Sequence, residues 1–399
     1  MKYLNIVGYV AIVLAFAAHF WGHEASWEPK VTFLLAALGV IPLAHLMGQA
    51  TEQLAEHTGP TLGGLLNATF GNAAEIIIGV IALSKGLNEI VKASLTGSIL
   101  GNLLLVSGAA MLAGGWKRER QVFSRSAAEA NAGLLALAAG AMLLPAIFHF
   151  TAERVHDIKL HEHEEKVSLA TSFVLSAVYG LGLLFTLRTH KHLFTRPHAQ
   201  SEEDKPGISA IGGRAWSVKG SVIVLLAASV GIAVVAELLV GSAEAMAKSF
   251  GWSEVFVGVV LLAIIGNAAE HSTAVMLAMR DDMDTAMTIS YQSSIQIALF
   301  AVPFLVLVSW LMHSMGWSPH ELHGEAVKPL NLIFSPLEVV AVVLTVGIVI
   351  VLCMNGESNW FEGVLLLGLY AILGIAFFYI PMGHPGAVES GALGAAHAP

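Results

Sequence analysis

The pentapeptide GNAAE occurs twice in the chain, at residues 71–75 and 266–270. Each copy lies inside a long apolar stretch, TLGGLLNATFGNAAEIIIGVIAL at 61–83 and FVGVVLLAIIGNAAEHSTAVMLAM at 256–279. The same offset of 195 residues carries Ser98 onto Ser293, one apolar stretch later in each half. A short match can arise by chance in a Gly- and Ala-rich chain. Here, however, both copies lie at a similar depth in their apolar stretches, each places an acid in an apolar setting, and a second residue matches at the same offset. Together these observations indicate an internal duplication.

Composition limits the class of protein. Of the 399 residues, 56% are hydrophobic and only 12% are charged, whereas soluble domains carry about 25% charged residues. The apolar residues form runs of about twenty, long enough to cross a bilayer core of roughly 30 Å. The single cysteine, Cys353, excludes an intrachain disulfide and a multi-cysteine zinc site. The first apolar run lacks a small-x-small cleavage site, so we interpret it as a retained span.

The runs predict an all-α integral membrane protein with about eleven transmembrane helices. After the first helix the chain divides into five spans plus five. Because five is odd, the second set enters the membrane from the opposite side, which makes an inverted-topology repeat. The predicted spans are 4–21, 31–48, 60–83, 93–114, 127–148, 167–187, 220–240, 255–278, 285–311, 330–352 and 360–380. The predicted units are an extra N-terminal helix (1–30), a first repeat (31–187), a linker loop (188–219), a second repeat (220–380) and a flexible tail (381–399).

Basic residues predict the orientation. All 20 Lys and Arg residues fall outside the predicted spans, 12 on the N-terminal side and 8 on the other. Loops 115–126 and 188–219 hold most of the larger group. The positive-inside rule therefore predicts a cytoplasmic N-terminus, a cytoplasmic linker and an external C-terminus in the cell (plasma or inner) membrane.

Four acidic residues lie well inside predicted spans: Glu75, Glu237, Glu270 and Glu338. No predicted span contains a basic residue to pair with them. An intramembrane acid is a functional-site hypothesis, because it must be neutralised by a proton or a cation. The repeated pair, Glu75 and Glu270, carries this hypothesis best. Glu237 and Glu338 have no match at the 195-residue offset, so a structural role is the stronger interpretation for them.

Oxygen-bearing side chains accompany the two glutamates. Asn72 and Glu75 are three residues apart and share a helix face, as do Asn267 and Glu270. The following spans add Ser98, Asn102, Ser293 and Gln296. Calcium takes six to eight oxygen ligands, and two carboxylates balance its charge. Each polar residue alone would more often bond a neighbouring helix, but their symmetric placement favours a cation site.

The histidines leave alternatives open. His271 follows Glu270 directly, and two interpretations are equally favoured: it tunes proton binding, or it bonds a neighbouring helix. The outer segment 156–166, HDIKLHEHEEK, contains His161 and His163. A solvated polar loop is favoured there over a metal site, and the chain has no HExxH zinc-protease motif.

Two long stretches resemble the signature repeats of the calcium/proton exchanger family, within the cation/calcium exchanger superfamily. The first repeat is resembled by two stretches, TGPTLGGLLNATFGNAAEIIIGVIAL (58–83) and LTGSILGNLLLVSG (95–108). The second repeat is resembled by two more, GNAAEHSTAVMLAMRDDMD (266–284) and SSIQIALFAVP (293–303). The resemblance implies that Glu75 and Glu270 bind both cation and protons. It implies that Asn72 and Asn267 are ligands or gating groups, with Ser98, Asn102, Ser293 and Gln296 in support. The linker departs from the family pattern, because it has only a short acidic cluster, SEEDK at 201–205.

The sequence thus predicts a secondary antiporter that exchanges Ca²⁺ for H⁺ by alternating access. The alternatives are sodium-coupled exchange, or transport of manganese, sodium or potassium, on the same fold, a membrane-embedded enzyme, and an ion channel. An enzyme would need a clustered metal motif, and a channel would need a ring of identical subunits. We expect no enzymatic activity, no cofactor besides the transported Ca²⁺ and no nucleic-acid partner; membrane lipid surrounds the chain, and its oligomeric state stays open.

Overall fold

The computed structural model describes residues 2–22, 25, 27–155, 159–190, 216–317, 319, 321–322 and 325–380. Fifteen α-helices lie within these ranges. They are α1 (Lys2–Trp21), α2 (Glu28–Phe70), α3 (Ala73–Ser84), α4 (Asn88–Leu100), α5 (Ser107–Gly115), α6 (Arg125–Arg154), α7 (Leu160–Leu184), α8 (Val218–Phe250), α9 (Glu254–Phe256), α10 (Ala263–Gly266), α11 (Ala268–Met279), α12 (Met283–Gln296), α13 (Val302–Ser314), α14 (Pro336–Cys353) and α15 (Trp360–Phe378). The acidic cluster 201–205 and the predicted tail 381–399 lie outside the described residues.

Four π-helical segments continue helices without a break. They are Gly101–Val106 after α4, Phe185–Thr189 after α7, Val257–Leu262 after α9 and Ile297–Ala301 after α12. Two short antiparallel strand pairs complete the described structure. β1 (Gln121–Val122) pairs with β4 (Glu357–Ser358), and β2 (Glu321–Leu322) pairs with β3 (Glu325–Ala326).

Eight helical stretches in the described ranges are long and apolar enough to cross a membrane. A ninth results if Glu254–Gly266 and Glu270–Met279, which meet at a 60° bend, are one broken span. Two further apolar helices, Asn5–Trp21 and Ala73–Ser84, are shorter. The prediction of a helical, multi-pass membrane protein is confirmed.

The predicted spans 31–48 and 60–83 are joined by helical structure rather than by a loop, because α2 is assigned from Glu28 to Phe70. The chain nevertheless turns back within α2, since a Cβ on Gly63 would lie 2.7 Å from the Ala55 carbonyl oxygen, whereas residues eight apart in a straight helix are about 12 Å apart. The long apolar span of this segment accordingly ends at Thr58. The polar part of α2 has a partner, since the Gln53 side chain accepts a hydrogen bond from the backbone N–H of Trp216 at 2.9 Å.

Helix boundaries recur at the 195-residue offset. The short helices α3, Ala73–Ser84, and α11, Ala268–Met279, have matching first and last residues. α4 begins at Asn88 and α12 at Met283, again 195 residues apart. The π-helical segments Gly101–Val106 and Ile297–Ala301 interrupt the two helices at corresponding places. π-Helical turns within helices are often found at functional sites.

Two helical stretches interrupted by π-helical turns form the centre of the molecule: Asn88–Gly115 and Met283–Ser314. In their most apolar stretches 83% and 67% of residues are buried, against 22–44% in the other six long candidates. A close crossing holds the first against the π-helical segment Val257–Leu262. A Cβ on Gly97 would lie 2.1 Å from the Val259 carbonyl oxygen, and one on Gly258 would lie 2.4 Å from the Ala93 Cβ. Only glycine permits this approach of two backbones.

Candidate cation-binding site

The two GNAAE motifs coincide with helix breaks. Residues 71–72 form a turn between α2 and α3, and Asn267 separates α10 from α11. Asn72 and Asn267 thus occupy the cap positions of α3 and α11, and Glu75 and Glu270 lie in the first turns. Asparagine at such a position usually caps its own helix, but neither side chain does so here. Both asparagines are therefore free to bond elsewhere.

Each asparagine bonds to the serine of the other half. The Ser293 hydroxyl donates to Asn72 Oδ1 at 3.0 Å, and Asn267 Nδ2 donates to the Ser98 hydroxyl oxygen at 3.0 Å. The four residues are matched in pairs at the 195-residue offset, and all are buried. The bonds therefore cross between the halves in both directions and hold the two helix breaks together.

Two further amides extend the first of these contacts. Asn72 Nδ2 donates to Gln296 Oε1 at 2.7 Å, and Asn102 Nδ2 donates to the Ser293 hydroxyl oxygen at 2.9 Å. Asn72, Asn102, Ser293 and Gln296 thus form one continuous buried network. The structure brings all six predicted polar residues to the two breaks, four in this network and two in the Asn267–Ser98 pair.

The glutamates lie against this polar layer. Glu75 Oε1 is 3.4 Å from the position that a Cβ on Gly266 would take, so the glycine of the second motif gives room to the acid of the first. Glu75 is close enough to Glu270 to interact with it electrostatically. The Glu270 carboxyl also interacts with the Ser293 hydroxyl, whose proton is donated to Asn72. The carboxylates of the two halves therefore face a common region.

Two buried oxygens in this region have no hydrogen-bond partner among the described residues: Asn267 Oδ1 and Glu270 Oε2. A buried, unpartnered polar atom is costly, and the cost is higher for a charged group. A proton on the carboxylate, or a cation bound to both oxygens, would remove that cost.

His271 lies beside the glutamate and points toward the first half. Its Cε1 is 4.0 Å from the position that a Cβ on Gly101 would take. Its Nε2 is buried and has no partner among the described residues. Bonding of this nitrogen to a neighbouring helix is thus not observed, and a tuning role stays a prediction.

The other two membrane acids are bound to protein groups. Glu237 was predicted to have no basic partner, but its Oε1 lies 2.6 Å from Lys85 Nζ. The prediction was wrong because the long lysine side chain reaches α8 from the loop after α3. Glu338 is buried, accepts hydrogen bonds from the Ser335 backbone N–H and the Thr96 hydroxyl, and completes a capping box at the start of α14. Its structural interpretation fits this geometry.

The outer histidine segment is partly helical. Residues 156–158 lie outside the described part of the chain, and α7 begins at Leu160, so His161 is not in a loop as predicted. Glu164, one turn later, is buried between His149 and His161. Its two oxygens lie 2.5 Å from His149 Nδ1 and 3.3 Å from His161 Nδ1. Burial of the carboxylate favours helix here, because α7 packs this face against α6.

Sequence reasoning missed one buried polar contact beside the site. Gln292 Nε2 donates to Asn131 Oδ1 at 3.0 Å and ties α12 to α6 one residue before Ser293. Both are polar residues inside predicted spans, which was the available signal. Within the described ranges, no group of three or more His, Cys, Asp or Glu side chains is arranged to hold a metal. The oxygen set at the helix breaks instead combines two carboxylates with amides and hydroxyls, which suits a hard cation.

Comparison with known proteins agrees with this geometry. The family model described as "Sodium/calcium exchanger protein" matches residues 29–188 and 220–379. A Ca(2+)/H(+) antiporter of Synechocystis is 43% identical over 385 residues, covering 92% of this chain and 95% of that protein. The Ca(2+)/H(+) antiporter ChaA of Bacillus subtilis is 38% identical, covering 94% of this chain and all of that protein.

A solved structure supports the same relationship. The crystal structure of the Ca²⁺/H⁺ antiporter protein YfkE matches with a TM-score of 0.74 and 35% identity, over 95% of this chain and 100% of that one. Its similarity extends through both halves, and the resemblance seen in the two motifs is confirmed. The chain belongs to the sodium/calcium exchanger protein family.

Proposed function

We propose that this protein is a secondary antiporter that exchanges Ca²⁺ for H⁺ across a membrane. The observation that carries the proposal is the meeting of two duplicated helix breaks, each with an asparagine and a glutamate, joined by crossed Asn–Ser hydrogen bonds. Relatives at 38–43% identity that bear the name Ca(2+)/H(+) antiporter support it. These names also favour protons over sodium as the counter-ion.

The proposed mechanism is competition for shared carboxylates. Glu75 and Glu270 together balance a divalent charge, while Asn72, Asn267 and the neighbouring hydroxyl and amide groups supply further oxygens. Without Ca²⁺ the same carboxylates are neutralised by protons, since a buried pair of like charges is unfavourable. Exposure of the site to each side in turn then couples cation movement to proton movement.

The proposed topology is eleven spans, with α1 outside two inverted five-span repeats. Eleven results from the eight long helices, the bent pair and the two shorter apolar helices. The matched segments 29–188 and 220–379 support the division into repeats at 31–187 and 220–380, joined by the linker 188–219.

Contacts between loops support this alternation of sides. Each observed contact joins segments that eleven spans place on the same side. On the proposed cytoplasmic side, Arg118 contacts Asp281, and β1 pairs with β4. On the proposed outer side, Lys328 contacts His161 through the side chain and Asn88 through its carbonyl. Fewer spans between these segments would separate some of the pairs by a whole bilayer.

The test is Ca²⁺ uptake into membrane vesicles with and without an imposed pH gradient. We expect uptake when the compartment that receives Ca²⁺ is the more acidic one, and its collapse when a protonophore removes the gradient. Replacement of the pH gradient by a sodium gradient should not drive uptake. Uptake that followed sodium alone would instead support the sodium-coupled alternative.

A further inference from the structure

The two helices that carry the glutamates end in the same way. α3 ends at Ser84 and is followed by Lys85 and Gly86, whereas α11 ends at Met279 and is followed by Arg280 and Asp281. Gly86 has φ +77° and Asp281, at the matching position, has φ +66°. Asp281 is the one non-glycine residue with positive φ among the described residues. Such a conformation persists where the surroundings hold it.

The surroundings of Asp281 are supplied by Arg118 from the first half of the chain. Arg118 Nε lies 3.2 Å from Asp281 Oδ1. Its two terminal nitrogens donate to the carbonyls of Gly114 at 2.6 Å and Met279 at 3.3 Å. The guanidinium thus joins the end of α5 to the end of α11, where a cation is favoured by the exposed carbonyls.

The corresponding end of α3 has an ion pair of its own. Lys85 Nζ lies 2.6 Å from Glu237 Oε1, and Glu237 belongs to α8 in the second half. Both ion pairs therefore join one half to the other. They lie at opposite ends of the proposed topology, with Lys85–Glu237 outside and Arg118–Asp281 inside.

We propose that these ion pairs are opposing latches that position the two glutamate helices. The outer latch, Lys85–Glu237, holds the halves together at the end of the Glu75 helix. The inner latch, Arg118–Asp281, does the same at the end of the Glu270 helix. Both pairs are formed in this structure, so neither face is released here. Alternating access moves the halves around a central site, and opening of one face requires the latch on that face to break. Each latch therefore stabilises the states that are closed on its own side. This inference rests on the proposed function.

The exposure of the pairs suits this role. Side-chain exposure is 31% and 58% for Lys85 and Glu237, and 32% and 62% for Arg118 and Asp281. Partly exposed pairs shift an equilibrium by at most about fivefold. A latch of that strength biases the two states without locking either. Lys85 and Arg118 are thus positioning residues that act through the helices and do not touch the transported ion.

The test measures the Michaelis constant for Ca²⁺ separately on each face, in right-side-out and inside-out vesicles containing the full-length protein. Glu237→Gln removes the outer latch, and Asp281→Asn removes the inner one while keeping a residue that tolerates positive φ. Glu237→Gln should lower the constant on the outer face and raise it on the inner face, by about two- to fivefold. Asp281→Asn should do the reverse.

Two controls separate latching from general damage. Glu162→Gln removes an exposed ion pair within a single helix, to Lys166, and should shift neither constant. The double variant Lys85→Glu with Glu237→Lys restores opposite charges and should return both constants toward the wild-type values.

Three results would overturn the latches. The first is that neither single variant changes the Michaelis constant for Ca²⁺ on either face. The second is that both single variants shift the constants in the same direction. The third is that the folded double variant does not return the constants toward the wild-type values. Absence of pH-driven uptake by the wild-type chain would instead contradict the proposed function itself.

Discussion

At the scale of single residues, what distinguishes the site is the use of the asparagines. A cap residue normally satisfies backbone N–H groups of its own helix. Asn72 and Asn267 instead bond to serines of the opposite half. This leaves Asn267 Oδ1 and Glu270 Oε2 without partners among the described residues. The free oxygens therefore concentrate in the second half of the site, although the motifs are identical in sequence.

The first residue-scale prediction concerns the glutamates. Glu75→Gln and Glu270→Gln should each reduce pH-driven Ca²⁺ uptake to background while the protein remains folded. Glutamine keeps the size of the side chain but removes one negative charge and a group that releases a proton. The matched control is Glu338→Gln, a buried membrane acid outside the motifs, which should retain uptake at equal expression. Near-normal uptake by either motif variant would refute the shared-carboxylate mechanism.

The second residue-scale prediction compares two adjacent buried serines. Ser293 bonds across the halves to Asn72, whereas within the described part of the chain the Ser294 hydroxyl bonds only to the carbonyl of Ser290 in its own helix, at 3.0 Å. Ser293→Ala should weaken the apparent Ca²⁺ affinity by about tenfold, because it leaves buried polar groups without a partner. Ser294→Ala should stay close to wild type. Equal effects on Ca²⁺ titrations of transport would show that Ser293 has no special role.

At the scale of elements, the site depends on helices that stop or deform inside the membrane. α3 and α11 begin at the motifs. The π-helical segment after α4 contains Asn102, and the one after α12 begins directly after Gln296. Irregular backbone at membrane depth is tolerated where protein or a cavity surrounds it. The close crossing at Gly97 and Gly258 provides such surroundings by packing α4 directly against the segment before α10.

The element-scale prediction tests that crossing. Gly97→Ala places a methyl group 2.1 Å from the Val259 carbonyl oxygen, so it should force the segments apart and destabilise the protein by ~1–3 kcal/mol. Gly140→Ala, in α6, meets no atom within 4 Å and should be neutral or stabilising, since alanine favours helix. Thermal unfolding in detergent measures both. A Gly97→Ala protein as stable as Gly140→Ala would contradict the crossing.

At the scale of the whole molecule, two halves with matching helix boundaries enclose the site. α2 and α8, the long helices of the two halves, pack against each other extensively, and α1 lies mainly against α2. This arrangement fits an added helix outside a duplicated core. The observed loop contacts join segments that the eleven proposed spans place on the same side.

The whole-molecule prediction concerns those ends. A reporter inserted near Asp204 should lie in the cytoplasm, and one fused after Pro399 should lie outside it. The physical reason is the concentration of Lys and Arg in loops 115–126 and 188–219. Protease protection or reporter activity in whole cells measures both. Detection of the two reporters on the same side would exclude eleven spans.

Some features of this protein follow from local sequence alone. The apolar runs determined a multi-pass helical class, because lipid admits few other backbones. The repeated GNAAE motif singled out Glu75 and Glu270, because acids in apolar runs are rare. The resemblance of the two motif regions to calcium/proton exchangers located the polar residues around them. Each of these signals is carried by residue type and short spacing.

Other features depended on tertiary structure. Lys85 pairs with Glu237, 152 positions away, and Glu164 is buried against His149 of the preceding helix. The crossed Asn–Ser bonds likewise join residues that are 169 and 221 positions apart. Hydropathy and spacing report the environment that a residue needs. Only the packing of distant segments decides which atoms supply it, because those contacts form between elements rather than along them.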